Sequence, residues 1–545
     1  MNKIFKVIWS KSKQCYIVVS EIAKNKTGKK KIVVAGIFAA LAMVHGGHTS
    51  FAYPPGGEGA QSAFWVGRAA GATGQNAQAE GVNAQAKSAK SIAIGSDSVA
   101  QGYALGNNVT GATAVGGHAS AIGTGAVALG YRTQGNAVYA TAIGSDSSVT
   151  GQYSVGLGWK ANVSADNSIA VGEQSKAVKE GSTVMGPAAR GYGNGSLSIG
   201  YQALAGANVY TGAANDPSPY NDTPATINNY ALWGDTAIGL RAIATGGNAT
   251  ALGRSASATA ANAIAIGGGN GDSAIDNTDK TEATGEKSTA IGYNAKAKNT
   301  NDIAIGMTAN ASDGNAIAIG RNVTSAGGAS TSIGYYSSVT GNQSIGIGSQ
   351  ISNSAQKATA IGYKVTASGS GAIGIGSGTD GGSNVIASGS DAIALGTSTL
   401  ADSEKAIAIG ANSKGTDIGA TALGRSSEAA GASSTALGSF AMANSTSATA
   451  VGMQAKATQE NAVALGSSAT AAALNSIALG KSSSVTAPTA GTTVGGQDSI
   501  AMGTGASANQ HSSVSVGLGA SSDGVRSVAI GPKASATDED TIAIG

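Results

Sequence analysis

Catalysis and metal binding need particular side chains at particular spacings, and this sequence has few of them. It has 4 His and 1 Cys. His45, His48 and Cys15 fall within the first fifty residues. His118 and His511 are too far apart in sequence to form a ligand set by local spacing, and no Cys remains to join them. Gly480-Lys481-Ser482 has the ending of a phosphate-cradling loop, but the Gly that must open such a loop five residues earlier is Asn475. Gly374-Ile375-Gly376 would begin a dinucleotide fingerprint, yet it stands inside a repeat of the same wording. Gly268-Gly269-Asn270-Gly271-Asp272 has the flavour of a calcium-binding nonapeptide without tandem copies. No Gly-x-Ser-x-Gly elbow and no paired general acid and base stands out. The expectation is a non-enzymatic chain with no catalytic residue, no metal site and no cofactor.

The first fifty residues form a separate object. Nine Lys and a single acid, Glu21, lie between Met1 and Lys31, followed by the apolar run Ile32 to Val44 and then Ser50-Phe51-Ala52. A basic region, a short apolar region and small residues before a cut make a secretory signal. The apolar run is too short to span a bilayer, which takes about 20 residues. Residues 1–52 are read as an extended signal peptide, cleaved between Ala52 and Tyr53. Its removal takes nine of the 33 basic and one of the 30 acidic residues. That leaves 24 against 29, so the formal charge of +3 belongs to the leader. The exported part is mildly acidic and carries no basic footprint for nucleic acid. It also has no Cys, so its stability cannot come from disulfides.

The remainder is rich in Gly and poor in bulk. Of 545 residues 83 are Gly, while aromatics are 4% and charged residues 12%. Only 8 Pro are present and Gly does not recur every third residue, which excludes collagen. Hydrophobic residues at 41% with a small net charge exclude simple disorder.

A short phrase explains the Gly. Ser91-Ile92-Ala93-Ile94-Gly95 returns as Ser168-Ile169-Ala170-Val171-Gly172, Ala406-Ile407-Ala408-Ile409-Gly410 and Ser476-Ile477-Ala478-Leu479-Gly480. Its closing Gly recurs every fourteen residues from Gly116 to Gly200, Gly239 to Gly267, Gly292 to Gly376, Gly396 to Gly480 and Gly503 to Gly545. A fixed period of this kind is the signature of a solenoid. Ile-Ala-Ile is period-two alternation and predicts a strand. A weaker apolar position about seven residues on, as in Ser147-Ser148-Val149-Thr150-Gly151, predicts a second strand. The expected fold is all-β: a parallel β-roll or solenoid of 14-residue coils. Ile, Val and Leu are expected to fill each roll, with the small Ala facing neighbouring chains. Ordering one coil costs about 21 kcal/mol. Its burial and hydrogen bonds return about 15–19 kcal/mol. Further burial in an oligomer is therefore expected. The residue after the landmark Gly, as in Tyr131, Tyr201, Tyr293, Tyr335, Tyr363, Arg254, Arg321 and Arg425, is expected to face solvent at a turn.

Four breaks interrupt the count. Residues 53–90 read as the N-terminal start of the head with degenerate repeats, 91–205 as head repeats, 206–234 as a long insertion, and 235–545 as head repeats with short insertions near 268–281, 377–390 and 481–495. The long insertion holds Tyr210, Tyr220, Tyr230 and Trp233 among Pro217, Pro219 and Pro224. Tyr with Ser, Asn and Gly makes an adaptable recognition surface, so these four residues are the candidate binding residues.

Asn167-Ser168-Ile169-Ala170-Val171-Gly172, Asn461-Ala462-Val463-Ala464-Leu465-Gly466 and Asn475-Ser476-Ile477-Ala478-Leu479-Gly480 resemble the head repeat of the YadA-like trimeric autotransporter adhesins. The start, Met1-Asn2-Lys3-Ile4-Phe5-Lys6-Val7-Ile8-Trp9 and then Tyr16-Ile17-Val18-Val19-Ser20-Glu21, resembles the extended signal region of large autotransporters. The resemblance implies a left-handed roll, a homotrimer and display on the bacterial outer membrane. It further implies attachment to host cells or extracellular matrix and cell–cell aggregation in biofilm. That family continues into a stalk and a membrane barrel. This sequence stops in phase at Gly545 without heptads or barrel strands, so a fragment lacking its C-terminal anchor is expected. Three other classes are considered: an ice- or surface-binding solenoid, which needs a regular Thr ladder; a polysaccharide-cleaving β-helix, which needs clustered acids or His and Arg on one face and is disfavoured by the low charge; and a secreted structural surface-layer protein.

Overall fold

The computed structural model describes residues 5–10, 15–20, 63–105, 108–109, 111–206, 234–269, 279–380, 383–486 and 495–545. Two compact units are distinguished, Met1–Gly57 and Glu58–Gly545. In the first, Phe5–Ser10 and Cys15–Ser20 pair as an antiparallel hairpin.

The second unit is a β-solenoid without helices among the described residues. Each coil contributes a strand of three to five residues, as in Thr141–Ile143, and a short strand, as in Ser148–Val149. Like strands stack in parallel exactly one coil apart, so that Ala128, Ala142 and Gly156 stand in file. The longer strands form one ladder of about 31 coils, from Phe64–Val66 to Ile542–Ile544. At about 4.8 Å per step the ladder runs roughly 140 Å. Pairing continues across the insertions. Leu197 pairs with Thr236, Ile264 with Thr289, Ile373 with Ile393 and Ile477 with Ile500.

Two features escape the sequence count. Gly67, Gly81 and Gly95 stand in phase with positive φ, so coils begin near residue 64. A further insertion follows Gly102, where Ala104–Leu105 and Asn108–Val109 form a small antiparallel pair.

The interior corrects the expected sidedness. In the coil after Gly144 the inward residues are Ser147, Val149, Ser154 and Gly156, and their counterparts elsewhere are mostly Ala. The central Ala of the phrase is fully buried, as at Ala93, Ala170, Ala408 and Ala478. The Ile, Val and Leu that flank it point outward. The reason is width. Two turns seven residues apart leave two and three residues per side, and the space between the sheets holds only methyl and hydroxymethyl groups. No aromatic ring is among the largest fully buried side chains, which are Ile351 and then Val. Volume is conserved across the roll. Where the central residue is Gly156, a Cβ there would lie 2.6 Å from the Cγ2 of Val149.

Both turns use left-handed backbone. Asp146, Tyr153, Lys160 and Asn167, seven residues apart, have φ of 55, 53, 54 and 55°. The landmark Gly is required more strictly. Gly410 has φ 123°, and a Cβ there would sit 2.5 Å from the carbonyl oxygen of Gly424 on the next coil. The buried hydroxyls close the turn: Ser147 Oγ donates to the Gly144 carbonyl at 2.9 Å, and Ser427 Oγ to that of Gly424 at 2.9 Å. Gly410→Ala is therefore expected to cost about 1–3 kcal/mol from the dihedral alone, with the clash added. Denaturant unfolding with residue-level hydrogen exchange should show the loss centred on the coils either side of residue 410. Unchanged protection there would contradict the steric account.

Candidate adhesion and assembly surfaces

Four surfaces run along the rod: the outer faces of the two sheets and the two edges of turns. On the longer-strand sheet the residues flanking the central Ala present an aliphatic ladder. Ile345, Leu395, Leu423 and Leu465 are each 40–43% exposed. Thr occupies the first of the two outward positions in several coils, including the consecutive Thr421, Thr435 and Thr449. It stands beside Leu or Val at the second position, so the face is aliphatic rather than a Thr array. Contiguous apolar surface beyond a few hundred Å² on a soluble protein marks an interface. The short-strand sheet is mostly polar outside, with Ser148, Asn162, Lys414, Glu428, Lys456 and Thr470 at its outward positions.

The edge after the landmark Gly carries aromatics and cations in the open. Tyr131 is 53% exposed and Tyr335 42%. Lys160 Nζ lies 4.4 Å from the Trp159 ring centroid and Arg425 lies over Phe440 at 4.8 Å. On the opposite edge Tyr139 and Tyr153 stack at 5.5 Å between centroids. The post-Gly residue is exposed as expected at Tyr131, Tyr201, Tyr335, Arg321 and Arg425 but only half-buried at Tyr293, Tyr363 and Arg254, and Arg321, Tyr335 and Tyr363 close five-residue strands where a turn was expected.

Tyr210, Tyr220, Tyr230 and Trp233 lie outside the described residues, as do Ala52 and Tyr53. The structure places only the roots of their insertion, Gly206 and Gly234, at the turn that follows a short strand. Among the described residues no group of three His, Cys, Asp or Glu is arranged to hold a metal ion.

Two carboxylates stand where other coils have Ser or Ala, and sequence inspection passed over them. Asp235 and Asp302 are fully buried. Asp235 Oδ1 accepts from the backbone N–H of Ala249 at 2.8 Å and of Gly247 at 3.0 Å, while Oδ2 has no partner among the described residues. Burial pushes the Asp235 carboxyl up from its ordinary 3.8, against the pull of those two N–H groups. Burial likewise raises Asp302, opposed by N–H bonds from Ala316 and Asn299. A carboxyl raised in the folded state favours folding at low pH, and that contribution is lost as pH rises through the folded value. At neutral pH the ionised Asp235 therefore costs stability. Ser at this position would keep the N–H bond from the next coil, as Ser154 Oγ does for Ser168 N–H at 3.0 Å. Asp235→Ser is expected to stabilise the head at pH 7 by about 1 kcal/mol. The gain should shrink as pH falls to 3.8 and below. Unfolding midpoints at pH 7 and pH 3.5 check this, and a gain that grew in acid would reverse the assignment.

Comparison with protein families places this geometry. Residues 1–46 match the extended signal peptide of the type V secretion system. The YadA head domain repeat matches fifteen times between residues 72 and 545, and these matches together cover more than half of the chain. The chain belongs to the trimeric autotransporter adhesins. No curated protein matches the sequence. The repeat matches fall on the coils, including 136–161 and 443–469, and leave out residues 190–233. Members of this adhesin family form homotrimers and bind host matrix. A type V signal followed by an adhesin head indicates export to the cell surface.

Proposed function

We propose that the chain is the head of a homotrimeric surface adhesin. It attaches bacteria to host cells or extracellular matrix and to one another, and acts by binding without catalysis. The observation that carries this reading is the outward aliphatic ladder, continuous along the rod and open to water in one chain. Three left-handed rolls set side by side would bury it against one another and leave the polar sheet outward. The signal peptide is cleaved between Ala52 and Tyr53, and the exported head is displayed on the outer membrane. Tyr210, Tyr220, Tyr230 and Trp233 in the 206–234 insertion supply contacts to the ligand, since aromatic side chains give large contact area at low entropic cost.

The test is adhesion. Bacteria displaying the protein are presented with collagens, fibronectin, laminin and sister cells. Binding to at least one of them is expected, with a several-fold loss when residues 208–232 are deleted. No binding to any surface would overturn the adhesin reading. Binding unchanged by the deletion would remove the insertion from the contact.

A further inference from the structure

A ladder of identical coils leaves one problem open. Two chains packed through Ile, Val and Leu alone could slip by one coil, or run antiparallel, and still bury nearly the same side chains. Something must break that degeneracy, as charges do in other repetitive assemblies.

The two edges differ in charge. At the two positions after each landmark Gly, among the described residues, Lys and Arg outnumber Asp and Glu ten to three. At the three positions closing the opposite turn, acids outnumber bases twelve to six. Four of the ten basic residues on the first edge have an acid at their height on the other: Lys160 is followed by Asp166, Asp313 by Arg321, Asp417 by Arg425 and Lys533 by Asp538, each within one coil. Arg132 and Arg241 face no charge, and Lys364 stands level with Lys357. Of the three acids on the first edge, Asp97 stands level with Lys90 and Glu173 with the adjoining Lys179 and Glu180, while Asp146 pairs with Arg132 on its own edge. The level partners stand on opposite edges of one chain, and none of those pairs is an ion pair within it. The ion pairs that do form, such as Arg132 with Asp146 at 3.4 Å and Lys405 with Glu404 at 2.7 Å, stay on one edge. Tyr131 on one edge stands within one coil of Tyr139 on the other.

In a parallel cyclic assembly the first edge of each chain meets the second edge of the next. We infer that these matched edges form the seams between copies of this chain, and that their charges fix the parallel, in-register arrangement. The inference rests on the homotrimer reading. An exposed ion pair contributes little alone, so the role is choice of partner and register more than affinity.

Charge reversal on the exported protein tests it. One variant carries Lys160→Glu, Arg321→Glu, Arg425→Glu and Lys533→Glu. A second carries Asp166→Lys, Asp313→Lys, Asp417→Lys and Asp538→Lys. A third combines all eight. Native mass spectrometry over a dilution series reads the trimer-to-monomer midpoint, with circular dichroism confirming the fold. Each single-edge variant is expected to shift the midpoint at least tenfold toward monomer, and the combined variant to return to within about threefold of wild type. A wild-type trimer with unaffected single-edge variants, or a combined variant as weak as the two losses together, overturns the seam while leaving the homotrimer standing. A monomeric wild type overturns both.

Discussion

Ala318→Phe is expected to break the roll locally, at a cost of about 3 kcal/mol or more, whereas Ile319→Ala, the neighbouring change, is expected to leave a single chain almost untouched. Ala318 stands in file between Ala304 and Ser332, all fully buried, with no room for a ring. Overpacking a filled core costs about 1–3 kcal/mol and more where the backbone must move. Here it must, because the sheets are tied coil to coil by hydrogen bonds on both sides. Ile319 lies on the outer face and is only partly covered by its own chain. Denaturant unfolding of the two variants decides the sidedness. If Ile filled the interior, Ile319→Ala would cost the 2–5 kcal/mol of a large-to-small core change and Ala318→Phe would be the mild one.

The second large effect is on assembly. Leu395→Asp, Leu423→Asp, Leu437→Asp and Leu465→Asp together should convert the assembled head to monomer with its β-content intact. All four leucines are exposed in the single chain. Fully burying a Leu contributes about 1.5–3 kcal/mol, so four per chain are a large share of any assembly energy. Their replacement also sets like charges opposite one another in a desolvated seam. Sedimentation velocity and far-ultraviolet circular dichroism read the two properties separately. Loss of the β-signal would mean that the leucines hold the roll itself. A species unchanged in size would mean that the ladder faces only solvent.

The period, the strand positions and the solenoid class are legible in the sequence because each depends on a residue that tolerates no substitute. A landmark such as Gly410 needs both a positive φ and the absence of a Cβ, so it recurs without error. The side each strand presents to the interior is not legible. Ile-Ala-Ile reads the same from either face, and the usual rule that large apolar residues point inward fails when the roll is too narrow for them. The clue lies in complementary size across the coil, Val149 against Gly156, which becomes meaningful only when the coil is closed. The early coils read only as degenerate repeats, outside the fourteen-residue count, because Phe64-Trp65-Val66 and Gln78-Ala79-Glu80 depart from the phrase while Gly67 and Gly81 keep its phase. Asp235 and Asp302 were missed because an acid before Thr or Ile reads as surface until the strand is placed. Of the candidate surfaces, exposed post-Gly residues such as Tyr131 and Arg425 could be read directly, whereas the half-burial of Arg254, Tyr293 and Tyr363 at the same position could not.

The homotrimer requires that the aliphatic ladder be covered by copies of the same chain. Sedimentation equilibrium of the exported head measures that directly. A mass three times that of one chain is predicted, persisting on dilution and lost in the four-Asp variant. A stable particle of one chain's mass, with its Ile and Leu ladder open to water, would contradict it.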